Sequence, residues 1–291
     1  MARRRAQLRL NMIVATTPDE VRALSRNERS QGRRIALVPT MGALHQGHLE
    51  LVRTARTLCD TVFMSIYVNP KQFNVAADFE KYPRTLETDL VLARDAGVDV
   101  VYAPGHAAMY PDGFDTTVHV GATAAALEGA GRPGHFDGVA TVVTKLLLAC
   151  EPDTAVFGQK DYQQLAVITR LVRDLDMPVA IVGAPTVRES DGLAMSSRNT
   201  RLAPEQRAAA PVVKKALDAA AGALSSDGDC DKAREAFRAL VASEPLAHVE
   251  YVSIADAGSL QEQDNMTGPV VISCAVWFGD VRLIDNVVHV P

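Results

Sequence analysis

Between residues 34 and 182, short runs of apolar and β-branched residues alternate with stretches whose apolar positions recur every three or four residues. The runs predict strands over Arg34–Pro39, Val62–Val68, Val98–Ala103, Thr154–Phe157 and Val179–Val182. The periodic stretches predict helices over Leu49–Leu58, Thr85–Ala96, Val139–Ala149 and Tyr162–Asp174. Such alternation makes an α/β domain with a parallel sheet. Its crossovers are right-handed, so helices cover both faces and ligands belong at the carboxyl ends of the strands. After about residue 187 the pattern changes. Pro204–Leu224 and Asp229–Ala242 read as Ala-rich helices parted by Ser225-Ser226-Asp227-Gly228-Asp229, and Val249–Ile254 reads as a strand. Val270–Phe278, Gly279-Asp280 and Val281–Val290 then read as a hairpin. The expected organisation is two domains, residues 1–187 and 188–291.

Composition agrees with a folded chain of this size. Of 291 residues, 47% are hydrophobic and 22% charged, enough for a sizeable core and against disorder. Thirty Lys and Arg stand against 35 Asp and Glu, so no global positive field exists to grip nucleic acid. Anionic ligands need a local site. The longest apolar tracts, Val139–Cys150 and Val270–Phe278, are too short to span a membrane, and the first contains Lys145. The basic start, Met1–Arg5, is followed by a stretch interrupted by Arg9 and Asn11, which argues against a secretory signal. Residues 1–11 are expected to be a flexible arm, with Met12 an alternative start. Cys59, Cys150, Cys230 and Cys274 are widely spaced, which suits buried, reduced thiols in a cytoplasm.

Three segments carry the candidate chemistry. Val38–His48 follows the first expected strand and opens onto a helix, so its turn amides are expected to face phosphate. His45 and His48 lie three residues apart and can stabilise charge developing on a phosphoryl oxygen, while Gly47 leaves room for a flat base. A His-x-x-His metal pair or two satisfied loop histidines are the alternatives. Phe157–Gln164 sits at another strand-to-helix junction: Lys160 reaches a phosphate, Asp161 accepts from ribose hydroxyls and Gln164 recognises a hydroxy acid. Asp161 alone is equally explained as a charge offsetting the helix dipole. Asp191–Asn199 sets Ser196 and Ser197 beside Arg198, either a mobile anion clamp or a solvated linker.

Taken in order, these segments resemble the pantothenate synthetase family. The resemblance also rests on Ser65–Phe73, Tyr82-Pro83-Arg84-Thr85, Gly134–Val139 and Arg282-Leu283-Ile284-Asp285-Asn286, and runs from about Gly32 to Asn286. It implies a Rossmann-like catalytic domain of the HIGH-type nucleotidyl transferase superfamily, a smaller α+β C-terminal lid domain and a homodimer. The implied activity condenses pantoate with β-alanine at the expense of ATP, with magnesium, through a pantoyl adenylate.

By position, the resemblance implies that Met41, Gly42, Ala43, Leu44, His45, Gln46, Gly47 and His48 bind ATP, with His48 as proton donor. Gly158, Gln159, Lys160 and Asp161 are implied at ribose and phosphate, Val187 at adenine, and Met195, Ser196, Ser197 and Arg198 as the phosphate clamp. His45, Lys160 and Arg198 join His48 as the catalytic set. Gln72 and Gln164 are implied at pantoate, Asn69 and Tyr82 as neighbours, and Asp89 on the magnesium side; a polar residue on a surface helix is the alternative for Asp89. Three positions depart from the family pattern, with Gln159 for Glu, Lys71 for Met and Tyr67 for Phe. An adenylyl transferase acting on a phosphate ester would need more basic residues than the neutral Gln72 and Gln164. A nucleotide sensor would not need Lys160, His45, His48 and Arg198 together, and a tRNA ligase fragment lacks an anticodon-binding region.

Overall fold

A computed structural model describes residues 12–291; the arm expected at residues 1–11 lies outside the described residues. Six strands form one sheet: β1 (Ile13–Ala15), β2 (Ile35–Thr40), β3 (Thr61–Ile66), β4 (Val100–Tyr102), β5 (Thr154–Gly158) and β6 (Ala180–Ala184). Their order is β1-β4-β3-β2-β5-β6, and every pair is parallel. The chain runs outward from β2 through β3 to β4 and returns to β5 on the other side of β2. The switch in strand order therefore falls between β2 and β5, the position at whose carboxyl ends open α/β sheets take ligands.

The helices that matter for the site are α1 (Pro18–Ser30), α2 (Gln46–Leu58), α3 (Leu86–Ala96), α4 (His135–Cys150) and α5 (Tyr162–Asp174). Helix α2 turns Leu51, Val52 and Ala55 into a core with Val38, Met64 and Val101. Gly97, left-handed at φ 87°, ends α3. Helix α4 comes so close to the turn Pro70–Gln72 that a Cβ on Gly138 would lie 2.2 Å from the Lys71 carbonyl oxygen. Only glycine permits that approach.

The chain divides into two compact units. The first ends at Gln159 and takes in Val167–Ala184; the second combines Lys160–Ala166 with Pro185–Pro291. In the second, α6 (Val212–Asp227) and α7 (Cys230–Ala242) pack on an antiparallel sheet of β7 (Ala247–Asp256), β8 (Val270–Phe278) and β9 (Val281–His289). Leu217, Leu224, Phe237, Ile254, Ile272 and Phe278 centre that core. The architecture is thus a Rossmann-like parallel α/β unit and a smaller α+β unit.

Several expectations are corrected. Strand β3 ends at Ile66 rather than Val68, because Pro70 starts a 3₁₀ turn capped by Asn69, whose side chain accepts from the Lys71 N–H. The stretch Pro204–Leu224 is two helices, Pro204–Ala209 and α6, since Pro211 has no N–H with which to continue the ladder. Helix α4 starts at His135, four residues before the expected Val139. The pattern reading omitted β1 and α1 altogether. Helix α1 carries a capping box: Thr17 accepts from the Glu20 N–H, and Glu20 accepts from the Thr17 N–H at 3.2 Å.

Candidate active site

The loop after β2 is built around an internal acid. Gly42 lies at φ 83° and Ala43 at φ 50°, two left-handed residues in succession. This geometry turns the Ala43 and Leu44 amides onto the Asp89 carboxylate, at 3.0 and 2.8 Å. Asp89 is 1% exposed and also accepts from the Thr85 hydroxyl at 3.1 Å. A Cβ on Gly42 would stand 2.9 Å from Asp89 Oδ2, so glycine is required by space as well as by φ. The Gly42 N–H donates to Thr40 Oγ1 at 3.2 Å. The sequence led us to expect turn amides directed at phosphate; the amides of residues 42–44 are instead satisfied within the protein. Asp89 sits 45 residues downstream of Leu44, and nothing local in the loop announces it.

The two histidines of this loop are each held by a backbone amide. His45 caps α2, its Nδ1 accepting from the Gly47 N–H at 3.1 Å. His48 Nδ1 accepts from the His45 N–H at 3.2 Å. A ring nitrogen that accepts carries no proton, so in each neutral ring the proton sits on Nε2. The ring centroids are 4.1 Å apart, so the two rings lie side by side. Their bonding explains them better than a bare metal pair would. Gln46, on the same turn, is exposed.

Gln72 is held from two sides. Its carbonyl accepts from His135 Nδ1 at 2.7 Å and from Arg132 at 3.3 Å. Its side chain is aligned by Asn69, whose Nδ2 donates to Gln72 Oε1 and to the Gly138 carbonyl, both at 3.0 Å. Asn69 Oδ1 in turn accepts from the Tyr110 hydroxyl at 2.9 Å. Gln72 Nε2 points to Met41 Sδ at 3.1 Å. Met41 lines a cavity of about 590 Å³ at the ends of β2, β3 and β4, whose walls include Ile66, Tyr67, Arg84, Thr85 and His106. Tyr82 is half-buried, edge-on to Phe73 at 5.7 Å.

Two of the departures acquire a physical meaning here. The Tyr67 hydroxyl pairs with His106 Nδ1 at 3.2 Å, and burial pushes its phenol up to about 12. The Lys71 ammonium lies over the rings of Tyr110 and Phe114, 5.2 and 5.4 Å from their centroids, a cation–π arrangement. Gly158 closes β5, and Gln159 begins the 3₁₀ turn Gln159–Asp161.

In the second unit, Lys160, Ser196 and Arg198 line one small cavity of about 10 Å³ with Asn199 and Asp285. Ser196 caps the 3₁₀ turn Ser197–Arg201 by accepting from the Arg198 N–H at 3.2 Å. Val187 and Met195 are joined across a short hairpin, the Met195 N–H donating to the Val187 carbonyl at 2.9 Å. Asp161 is exposed, and Gln164 lies half-buried in the first turn of α5. The sequence reading assigned no role to Arg188, which makes a bidentate pair with Asp285 at 2.6 and 3.0 Å. The available signal was a charged and an amide residue side by side, Asp285 and Asn286, between Ile284 and Val287 of β9.

The first unit is a Rossmann-like parallel α/β fold, with His45, His48 and Gln72 on segments that follow the carboxyl ends of β2 and β3. The chain belongs to the pantoate-beta-alanine ligase family, whose profile matches residues 13–288. It is 49% identical over 278 residues to a pantothenate synthetase of Pelotomaculum thermopropionicum, covering 95% of this chain and 99% of the relative. To that of Heliobacterium modesticaldum it is 51% identical over 271 residues, covering 92% and 96%. Its fold is similar to the crystal structure of pantothenate synthetase from Thermus thermophilus, with TM-score 0.89, 45% identity and coverage of 95% and 99%. A pantoate-beta-alanine ligase from Francisella tularensis, complexed with beta-gamma ATP and beta-alanine, gives TM-score 0.76 and 33% identity over 95% and 97% of the two chains. Among the described residues, no helix is long and apolar enough to cross a membrane.

Proposed function

We propose that this chain condenses pantoate with β-alanine, converting ATP to AMP and diphosphate through a pantoyl adenylate. Beyond family membership, the observation that carries this reading is the paired Nδ1 acceptance of His45 and His48, which fixes two Nε2 donors on one loop. A carboxylate is a poor acyl donor because oxide leaves badly; adenylation gives it AMP as leaving group. One pantoate carboxylate oxygen attacks the α-phosphorus, and the bond from that phosphorus to diphosphate breaks. The β-alanine amine then attacks the carbonyl, the acyl–oxygen bond to AMP breaks, and the amine loses a proton.

Each side chain has a defined part. The Nε2–H groups of His45 and His48 donate hydrogen bonds to phosphoryl oxygens and stabilise the charge that develops there, and Lys160, Ser196, Ser197 and Arg198 hold the departing diphosphate. Gly158, Gln159 and Asp161 bind ribose and phosphate, Val187 contacts adenine, and Met195 stands with Ser196, Ser197 and Arg198 on the phosphate side. Gln72 and Gln164 orient pantoate, with Asn69 and Tyr82 beside it. Positioning and charge stabilisation supply the rate, since no covalent intermediate with the protein is needed. Met41–Leu44 bound the nucleotide by shape, their loop set by Asp89.

Magnesium does not fit Asp89 as a directly held ion. Both carboxylate oxygens already accept from N–H or O–H donors. Among the described residues no group of three or more His, Cys, Asp or Glu side chains is arranged for a metal. No step is routed through a protein-held metal, and magnesium would arrive with the phosphates of ATP. We further propose a cytoplasmic homodimer; four buried free cysteines suit a reducing compartment. The test is AMP formation from ATP with pantoate and β-alanine together and singly. Sustained release that requires both supports the reading; release with another acid but not with pantoate contradicts it.

A further inference from the structure

The strand-β9 residues Asp285 and Asn286 have no part in the reaction just described, yet both are buried, at 4% and 6% exposure. Their bonds run to the two segments of the second unit assigned to ATP. Arg188 donates through both guanidinium nitrogens to Asp285, and also to the Gly192 carbonyl at 3.1 Å and the Asn286 carbonyl at 3.3 Å. Arg188 and Gly192 belong to the hairpin whose base joins Val187 to Met195. Asn286 Nδ2 donates to the Lys160 carbonyl at 2.7 Å. The Asn286 N–H closes the set on Asp285 Oδ1 at 2.8 Å.

We infer that Arg188, Asp285 and Asn286 form a brace that fixes the Lys160 turn and the Val187–Arg198 segment at one spacing, and so positions the phosphate-binding groups for adenylate formation. This rests on the reading that Lys160 and Met195–Arg198 hold ATP. A strand in an apolar core has no need of a buried ion pair, whose desolvation offsets much of its attraction. Here Arg188 and the Asn286 amide also donate to the Gly192 and Lys160 carbonyls, one in each of the two segments. The bidentate geometry holds a fixed separation in a way that a single contact does not. Lys160, Ser196, Arg198 and Asp285 accordingly share one cavity lining.

The test separates the half-reactions in Asn286→Ala, Asp285→Asn, Lys160→Ala and the Asn286→Ala/Lys160→Ala double variant. Adenylation is read as pantoate-dependent exchange of labelled diphosphate into ATP. Aminolysis is read as single-turnover reaction of supplied pantoyl adenylate with β-alanine, after diphosphate has left. The brace predicts that Asn286→Ala and Asp285→Asn slow exchange on the order of tenfold to a hundredfold, with aminolysis unchanged. Asn286→Ala should add nothing further on top of Lys160→Ala. Equal slowing of both half-reactions, or full additivity in the double variant, would overturn it as a general loss of structure. Normal exchange in Asn286→Ala beside slow exchange in Lys160→Ala overturns the brace alone; normal exchange in Lys160→Ala overturns the assignment of Lys160 itself.

Discussion

Asn69 Nδ2 donates to Gln72 Oε1 at 3.0 Å, and this bond decides which end of the Gln72 amide is the donor on the Met41 side. On the proposed reading Gln72 therefore offers N–H, not C=O, to pantoate. Asn69→Ala releases the amide to rotate and should raise the KM for pantoate about 5- to 150-fold, equivalent to roughly 1–3 kcal/mol. Calorimetry of ATP binding without pantoate should be unaffected. Gln72→Ala and Gln164→Ala should share that pattern, and an equal loss of ATP affinity would count against the division between nucleotide and acid groups.

The loop after β2 depends on Gly42 and Asp89 together. Gly42→Ala pushes a methyl group to 2.9 Å from Asp89 Oδ2 and forces a non-glycine residue to φ 83°. It should lower Tm by several degrees, for a cost of about 1–3 kcal/mol. Asp89→Asn places one amide NH₂ where a backbone N–H now donates, and should reduce turnover without abolishing folding. An unchanged Tm in Gly42→Ala would refute the packing argument.

What the sequence conveyed about the site was its residue types, more than the use of its backbone. The position of Lys160 after a strand and the three-residue spacing of His45 and His48 are local features, and the structure keeps both. The long-range partners of the backbone are not local. Asp89 accepts from Ala43 and Leu44 across 46 and 45 positions, and Asn286 Nδ2 donates to the Lys160 carbonyl across 126, so neither is visible from spacing. Strands β2–β5 were legible because buried parallel strands are continuous apolar runs, whereas β1, three residues long with Ile13 and Val14 exposed, was not. Helix α1 carries a local signal in Thr17, Pro18 and Glu20, a capping box that the spacing of apolar positions alone does not register.

Lys160→Ala should fold and lose activity about a hundredfold, roughly 3 kcal/mol of transition-state stabilisation. The bond from Asn286 to residue 160 uses its backbone carbonyl, which alanine retains. Circular dichroism and Tm check the fold, and near-normal turnover in the folded variant would sink the assignment.

Alkaline pH should destabilise the protein through its buried phenols. Burial raises Tyr67 from 10.0 to about 12 and pushes Tyr102 and Tyr110 upward as well. Between pH 10 and about 12 the unfolded chain loses these protons while the folded chain retains them, so stability falls as pH rises. Denaturant midpoints measured across that window should decline, and Tyr67→Phe should reduce the slope. A flat profile would contradict the burial of these hydroxyls.

The chemistry itself is tested most directly by following oxygen from pantoate labelled in its carboxylate. Attack on the α-phosphorus leaves one carboxylate oxygen on phosphorus when the amine displaces AMP. One labelled oxygen is therefore expected in AMP and none in diphosphate, with diphosphate–ATP exchange supported by pantoate in the absence of β-alanine. Label in orthophosphate, with ADP as the nucleotide product, would show an acyl phosphate and contradict adenylation.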